Sequence, residues 1–136
     1  MSASLQGALA FQKGLGCVHS LSHALGGLDP RLHHGTLNAV FLPAVVEFNT
    51  DAPSVKRREC LPRMAQVMGI DDPRKIPDAV RGINAKIGLP RGLDALGVDR
   101  LLYPEIIRGA LGDHCHKTNP RTATDKDYEK ILEASI

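Results

Sequence analysis

The stretch from Thr36 to Phe48 constrains this chain more than any other. It carries Leu37, Val40, Phe41, Leu42, Val45 and Val46, and it is apolar nearly all the way round. A helix of that kind belongs at the centre of a fold, with other helices laid against it. Pro43 falls inside it. A proline there removes one backbone hydrogen bond, so a kink is expected. The rest of the chain keeps the helical period, and no convincing two-residue alternation appears. Aromatic residues make up only 4% with no Trp, so the core is expected to be aliphatic.

Helices are expected over Ala3–Phe11, Cys17–Leu25, Thr36–Phe48, Val55–Met68 and Pro77–Ile87. Two more should run from about Asp99 or Pro104 to Leu111 and from Thr124-Asp125 to Ala134. Gly14-Leu15-Gly16 bends the chain, Gly26-Gly27 stops the second helix, and Asp29-Pro30 makes a turn. Ser54 is placed to cap the basic helix after it, and Pro62 to kink or restart that helix. Gly112 to Arg121 reads as a polar loop. The expectation is an all-α bundle of six or seven helices, forming one domain over residues 1–136.

Charge excludes several roles. Seventeen basic against fifteen acidic residues leave a net +2, which supports neither nucleic acid nor an anionic membrane as a main partner. No apolar run is long enough to span a bilayer, and Met1 to Gln12 lacks the basic head of a secretory signal. The three cysteines, Cys17, Cys60 and Cys115, have unrelated spacings and read as reduced thiols, so a cytoplasmic setting is expected.

The six histidines fall in two clusters, at 19, 23, 33 and 34 and at 114 and 116. His19 and His23 are four residues apart, so both rings project from one helix face. Such a pair can share a metal, or divide labour between a metal and a neighbouring cofactor. The alternative is two partly buried rings satisfied by backbone carbonyls. A zinc-protease motif is excluded, because it needs Glu after the first His and Ser20 stands there. His33-His34-Gly35 opens the apolar helix, and a helical hairpin would bring His34 towards His19. Two imidazoles are half of a metal's ligand set. Asp29, before a proline, reads as a turn former, and Asp113-His114-Cys115-His116 is spaced too tightly for one mononuclear site and reads as loop. Cys17 reads as core, Lys56-Arg57-Arg58 as a solvated face, and Ser20 and Ser22 lack a nucleophile elbow. No glycine-rich dinucleotide loop follows a strand.

The run from Ala10 to Gly27, with Gly14-Leu15-Gly16-Cys17-Val18-His19-Ser20-Leu21-Ser22-His23, is followed by His34-Gly35-Thr36-Leu37-Asn38-Ala39-Val40-Phe41-Leu42-Pro43. Together these resemble the C-terminal half of iron-containing alcohol dehydrogenases. Glu47-Phe48-Asn49, Gly88-Leu89-Pro90, Leu96-Gly97-Val98 and Asn119-Pro120-Arg121 extend the likeness along the chain.

The resemblance implies the helical domain of the dehydroquinate synthase-like fold. It implies oxidation of an alcohol to an aldehyde or ketone with NAD(P), at Fe(II) for which zinc can substitute. In that family an Asp and three His hold the ferrous ion, and by position the last two are His19 and His34. His23 corresponds to the residue facing nicotinamide and alcohol and assisting proton handling, and Phe11 to an apolar wall of the substrate pocket. His33 is a second candidate ligand, although the His-Gly pattern favours His34. The resemblance puts the nucleotide-binding domain, the Asp and the first His upstream of Met1, so the chain alone is expected to be catalytically incomplete. The alternative is a stand-alone helical module that self-associates or pairs with a separate nucleotide-binding subunit, with Phe11 and Leu15 as uncovered apolar surface.

Overall fold

The computed structural model describes residues 2–136. All its regular structure is helical, and the apolar segment lies at its centre as α3 (His34–Asn49). Leu37, Val40, Phe41, Pro43, Ala44 and Val45 are buried there, while Leu42 on the outer side stays 38% exposed. The helix begins two residues earlier than expected and runs through Pro43 without a break. Pro43 has no N–H to give the carbonyl of Ala39, one turn back. The Asn84 side chain supplies the missing donor, with Nδ2 2.8 Å from Ala39 O.

The other helices are α1 (Ser2–Phe11), α2 (Gly16–Leu28), α4 (Pro53–Arg57), α5 (Cys60–Met68), α6 (Ile76–Lys86), α7 (Tyr103–Gly112) and α8 (Asp125–Glu133), of which α2, α6 and α8 pack against α3. Among the described residues there are eight α-helices, where six or seven are expected, because the Val55–Met68 segment is split. The break falls at Arg58-Glu59, where Glu59 takes a left-handed φ of 50°, and Pro62 lies in the first turn of the restarted helix. Ser54 is not the cap of α4: Ala52 holds that position, with Pro53 in the first turn and no side-chain bond. Nor does Gly26-Gly27 stop α2, which continues to Leu28 and ends at Asp29. A glycine costs a helix only about 1 kcal/mol, less than the packing of this helix supplies.

The helix α2 packs between α3 and α7. Gly109 of α7 allows this approach, since a Cβ there would sit 2.9 Å from the Cβ of Ala24. Leu21, Leu25, Leu37, Phe41, Ile106, Tyr128 and Leu132 form the centre of one core and are fully buried. The chain closes through Leu93 N–H, which donates to Ser135 O at 2.8 Å.

The N-terminus of α2 has no cap of its own, since Leu15 occupies that position. Its donors are satisfied from the far end of the sequence: Gly16 N–H donates to Thr118 Oγ1 and Cys17 N–H to Asn119 Oδ1, both at 3.2 Å. Gly14 has a φ of 101° and lies so close to Thr118 that no side chain fits there. Asn119 also donates to Asn49 Oδ1 at 2.7 Å, tying the start of α2 to the end of α3. By contrast, α1 carries no buried residue, and Leu5, Leu9 and Phe11 are each more than half exposed.

Candidate functional site

Because His19 and His23 lie one turn apart on α2 and His34 opens α3, the turn at Asp29 brings three rings together. His34 lies with its centroid 5.2 Å from both His19 and His23, and the latter two are 5.7 Å apart. His23 and His34 are stacked at 17°. It is His34 that the hairpin brings beside His19 and His23, while the His33 ring lies where a Cβ at Gly35 would meet it at 3.2 Å.

Hydrogen bonds fix how these rings present their nitrogens. Ser22 Oγ donates its only hydrogen to the His19 carbonyl oxygen, 3.2 Å away. Ser22 Oγ also lies 3.1 Å from His34 Nδ1 and accepts from it in the tautomer that leaves Nε2 free to accept from the Asn38 amide. His34 thus carries its proton on Nδ1 and offers a lone pair at Nε2. The Asn38 amide, one turn along α3, places Nδ2 3.0 Å from His34 Nε2 and 3.4 Å from His19 Nε2. Two imidazole nitrogens therefore converge on one point. Burial, followed by the neighbouring His34 and His23 rings, pushes the His19 imidazole below its ordinary pKa, which favours its neutral form.

The donor chemistry of this point suits a transition-metal cation, which takes neutral imidazole nitrogens. A hydrogen-bonded second nitrogen, as at His34, is the usual way a ligating ring is oriented. Asn38 Oδ1 and His19 Nδ1 are buried without a hydrogen-bond partner, so the present amide position does not satisfy the site fully. Two nitrogens fit a metal in kind and supply half of a tetrahedral set in number.

The second histidine cluster does not behave as the expected free loop. Asp113 caps a 3-10 turn at His114–Thr118 that lies against α2. Asp113 Oδ2 is 3.0 Å from His23 Nδ1, and the His114 ring stacks on His23 at 6.0 Å. His116 turns inward to the buried Tyr128, with Nδ1 2.9 Å from the hydroxyl. Burial opposes the charge of Asp113, but the Cys115 N–H and His23 outweigh it and hold the carboxyl below its usual range. One donor atom each from His23, Asp113 and Cys115 lie within 4.8 Å of one another. Burial, reinforced by Asp113, pushes the Cys115 thiol up to about 11, and the hydrogen bonds of the trio centre on the Asp113 carboxylate, which accepts the Cys115 N–H and faces His23 Nδ1. The sequence signal for this packing is the spacing of Asp113 and Cys115 around their own turn, which carries no hint of the distant helix.

Phe11 stands at the end of α1, 60% exposed. A wall of a substrate pocket needs a facing surface, and α1 buries none of its own residues. Cys17 is fully buried, as expected of a core thiol. Asp29 makes its turn and pairs with Arg31 at 2.8 Å.

The described residues thus form an all-helical domain in which the rings of His19, His23 and His34 come together. The family model for the C-terminal part of Fe-containing alcohol dehydrogenases matches residues 1–136, and the chain belongs to that family. The 4-hydroxybutyrate dehydrogenase of Cupriavidus necator is 55% identical over 140 residues, covering 100% of this chain and 37% of that protein. Lactaldehyde reductase of Escherichia coli K12 is 35% identical over 126 residues, covering 87% of this chain and 32% of the reductase. Among solved structures, a 1,3-propanediol oxidoreductase superposes with a TM-score of 0.77 at 30% identity, over 90% of this chain and 33% of that one. An alcohol dehydrogenase from Oenococcus oeni gives 0.78 at 27% identity, with the same coverage. The chain therefore spans about a third of the length of these relatives. The helical architecture expected from the sequence is that of the family. Among the described residues, no helix is long and apolar enough to cross a membrane.

Proposed function

We propose that this chain supplies the helical, histidine-bearing half of an iron-type alcohol dehydrogenase site, and that alone it is catalytically incomplete. The observation that carries the reading is the convergence of His19 Nε2 and His34 Nε2 on the single Asn38 amide nitrogen. His19 and His34 would hold the metal, Fe(II) with Zn(II) as a substitute. When bound, such a cation supplies Lewis acidity that lowers the pKa of an alcohol hydroxyl. Ser22 keeps the His34 lone pair turned inward, and burial keeps His19 neutral. His23 presents its Nε2 towards the substrate side and accepts or returns a proton there. Phe11 forms an apolar wall once a facing surface covers it.

The remaining ligands and the NAD(P) site come from a nucleotide-binding part. The Cupriavidus relative, of which this chain covers only 37%, has room to contain one. The substrate is a small alcohol or the matching aldehyde. The name of that relative makes 4-hydroxybutyrate the first compound to try.

The test is a chimera in which this chain replaces the matching C-terminal segment of the Cupriavidus enzyme. The chimera is expected to turn over 4-hydroxybutyrate with NAD+ and Fe(II), while the 136-residue chain alone gives no turnover. His34→Ala in the chimera is expected to abolish both metal retention and turnover. A folded His34→Ala chimera that keeps its metal and its rate refutes the assignment of His34. Turnover by the chain alone refutes the incompleteness.

A further inference from the structure

We infer that Asp113 is a positioning residue, which fixes the tautomer and ring orientation of His23 so that Nε2 is left unprotonated. The inference rests on the reading of His23 as the proton-handling group.

The Asp113 carboxylate makes two short hydrogen bonds, and His114 Nδ1 lies further from Oδ2, at 3.8 Å. Oδ1 accepts the backbone N–H of Cys115 at 2.8 Å, which anchors the side chain at the start of its own 3-10 turn. Oδ2 is thereby aimed at His23 Nδ1, 3.0 Å away. An ionised carboxylate only accepts, so Nδ1 of His23 carries the hydrogen and Nε2 keeps the lone pair. The carboxylate is well shielded, its side chain being 14% exposed, whereas the His23 ring is 35% exposed. One edge of the ring is thus held from within while the rest stays open. His34 on one side and His114 on the other stack against the ring and limit its rotation.

The segment that carries Asp113 is itself tied to α2 at a second point. Thr118 and Asn119, at the far end of the same turn, cap the first two N–H groups of that helix. Asp113 and the helix bearing His23 therefore form one rigid unit. A carboxylate orienting an imidazole in this way is a known means of selecting one tautomer, and replacing it by an amide inverts the choice.

That inversion is the test. In Asp113→Asn, the amide oxygen remains the better cap for Cys115 N–H, which turns the NH2 group towards His23 Nδ1. His23 is then expected to move its proton to Nε2. Nitrogen-15 NMR of histidine-labelled, metal-free chain reads the tautomer directly, independently of activity. Wild type should show Nδ1–H at His23, Asp113→Asn should show Nε2–H, and Asp113→Ser, which keeps a cap but makes no bond to the ring, a mixture of both. In the chimera, Asp113→Asn should lower kcat by about 10- to 1,000-fold with KM nearly unchanged. An unchanged His23 tautomer in the folded Asn and Ser variants overturns the inference, whatever the kinetics. An inverted tautomer with an unchanged kcat upholds Asp113 as the positioning group and refutes the proton-handling role of His23 instead.

Discussion

Pro43 lies inside the central helix α3, and the structure shows how its missing N–H is replaced. Asn84 reaches from α6 to the Ala39 carbonyl and makes a 2.8 Å bond there. Asn84→Ala leaves that half-buried carbonyl without a donor, at a cost of about 1–2 kcal/mol. Asn84→Asp should cost at least as much, because an ionised carboxylate brings a second acceptor to an acceptor. Pro43→Ala restores the backbone N–H of residue 43 to the same carbonyl but trims a buried ring. The sign of that single change is therefore not diagnostic, and the coupling between the two sites is. In the Pro43→Ala background, Ala39 O has its helical donor back, and Asn84→Ala should then cost roughly 0.5 kcal/mol or less. The coupling energy is expected at about 1 kcal/mol, read from urea unfolding of the four proteins followed by far-UV circular dichroism. Additive costs within about 0.3 kcal/mol would refute the idea that Asn84 substitutes for the proline's absent donor.

Three further outcomes follow from the same reasoning. Asn119→Ala removes the cap on Cys17 N–H and the bonds to Asn49 and the Arg121 carbonyl. It should cost about 2–3 kcal/mol, against about 1 for Thr118→Ala, in the same unfolding assay. Asp127 closes a capping box with Thr124 at the start of α8, and the Thr124 N–H, with the hydroxyl and Arg121 adding to it, holds its carboxyl below the usual range against the effect of burial. A depressed folded pKa means stability that is present above the ordinary Asp value and lost as pH falls through the folded one, so Asp127→Ala should cost about 0.5–1 kcal/mol at pH 7 and progressively less in acid. Of the three thiols, Cys17 and Cys115 are buried with pKa values raised chiefly by that burial. A thiol reagent should therefore label Cys60 alone in the native chain and all three in urea, and fast native labelling of a second cysteine would count against this core.

The parts of this fold legible in the sequence are those set by local periodicity. The all-round apolarity of Thr36–Phe48 marks a central helix because no other placement removes that surface from water. The four-residue spacing of His19 and His23 and the short turn to His34 are likewise enough to anticipate that the three rings come together. Helix ends are harder, because tertiary packing overrides local cost: α2 passes through Gly26-Gly27 since both its flanks are occupied by α3 and α7. Long-range polar partners are illegible for a different reason. Asp113 and His23 are 90 residues apart, and Asn119 and Cys17 are 102 apart. Each side of such a pair reads locally as an ordinary turn former or helix residue. Hydrogen bonds have no periodicity, so only the assembled backbone reveals them.

Those long-range bonds decide what the histidine site can do. A helix whose first N–H groups were left to water would fray at the end nearest His19, and the two converging nitrogens would lose their register within a turn. Thr118 and Asn119 prevent this at one end of α2, Asp113 pins the ring of His23, and Ser22 sets the tautomer of His34. The three rings are therefore held in place by the chain's own hydrogen bonds, and a ligand binding there would have little conformational entropy left to remove. The uncovered helix α1 is ordered by none of these bonds. The bonds that place the histidines on α2 and α3 are in this way separate from α1, although only a short stretch of chain, Gln12 to Leu15, joins α1 to α2.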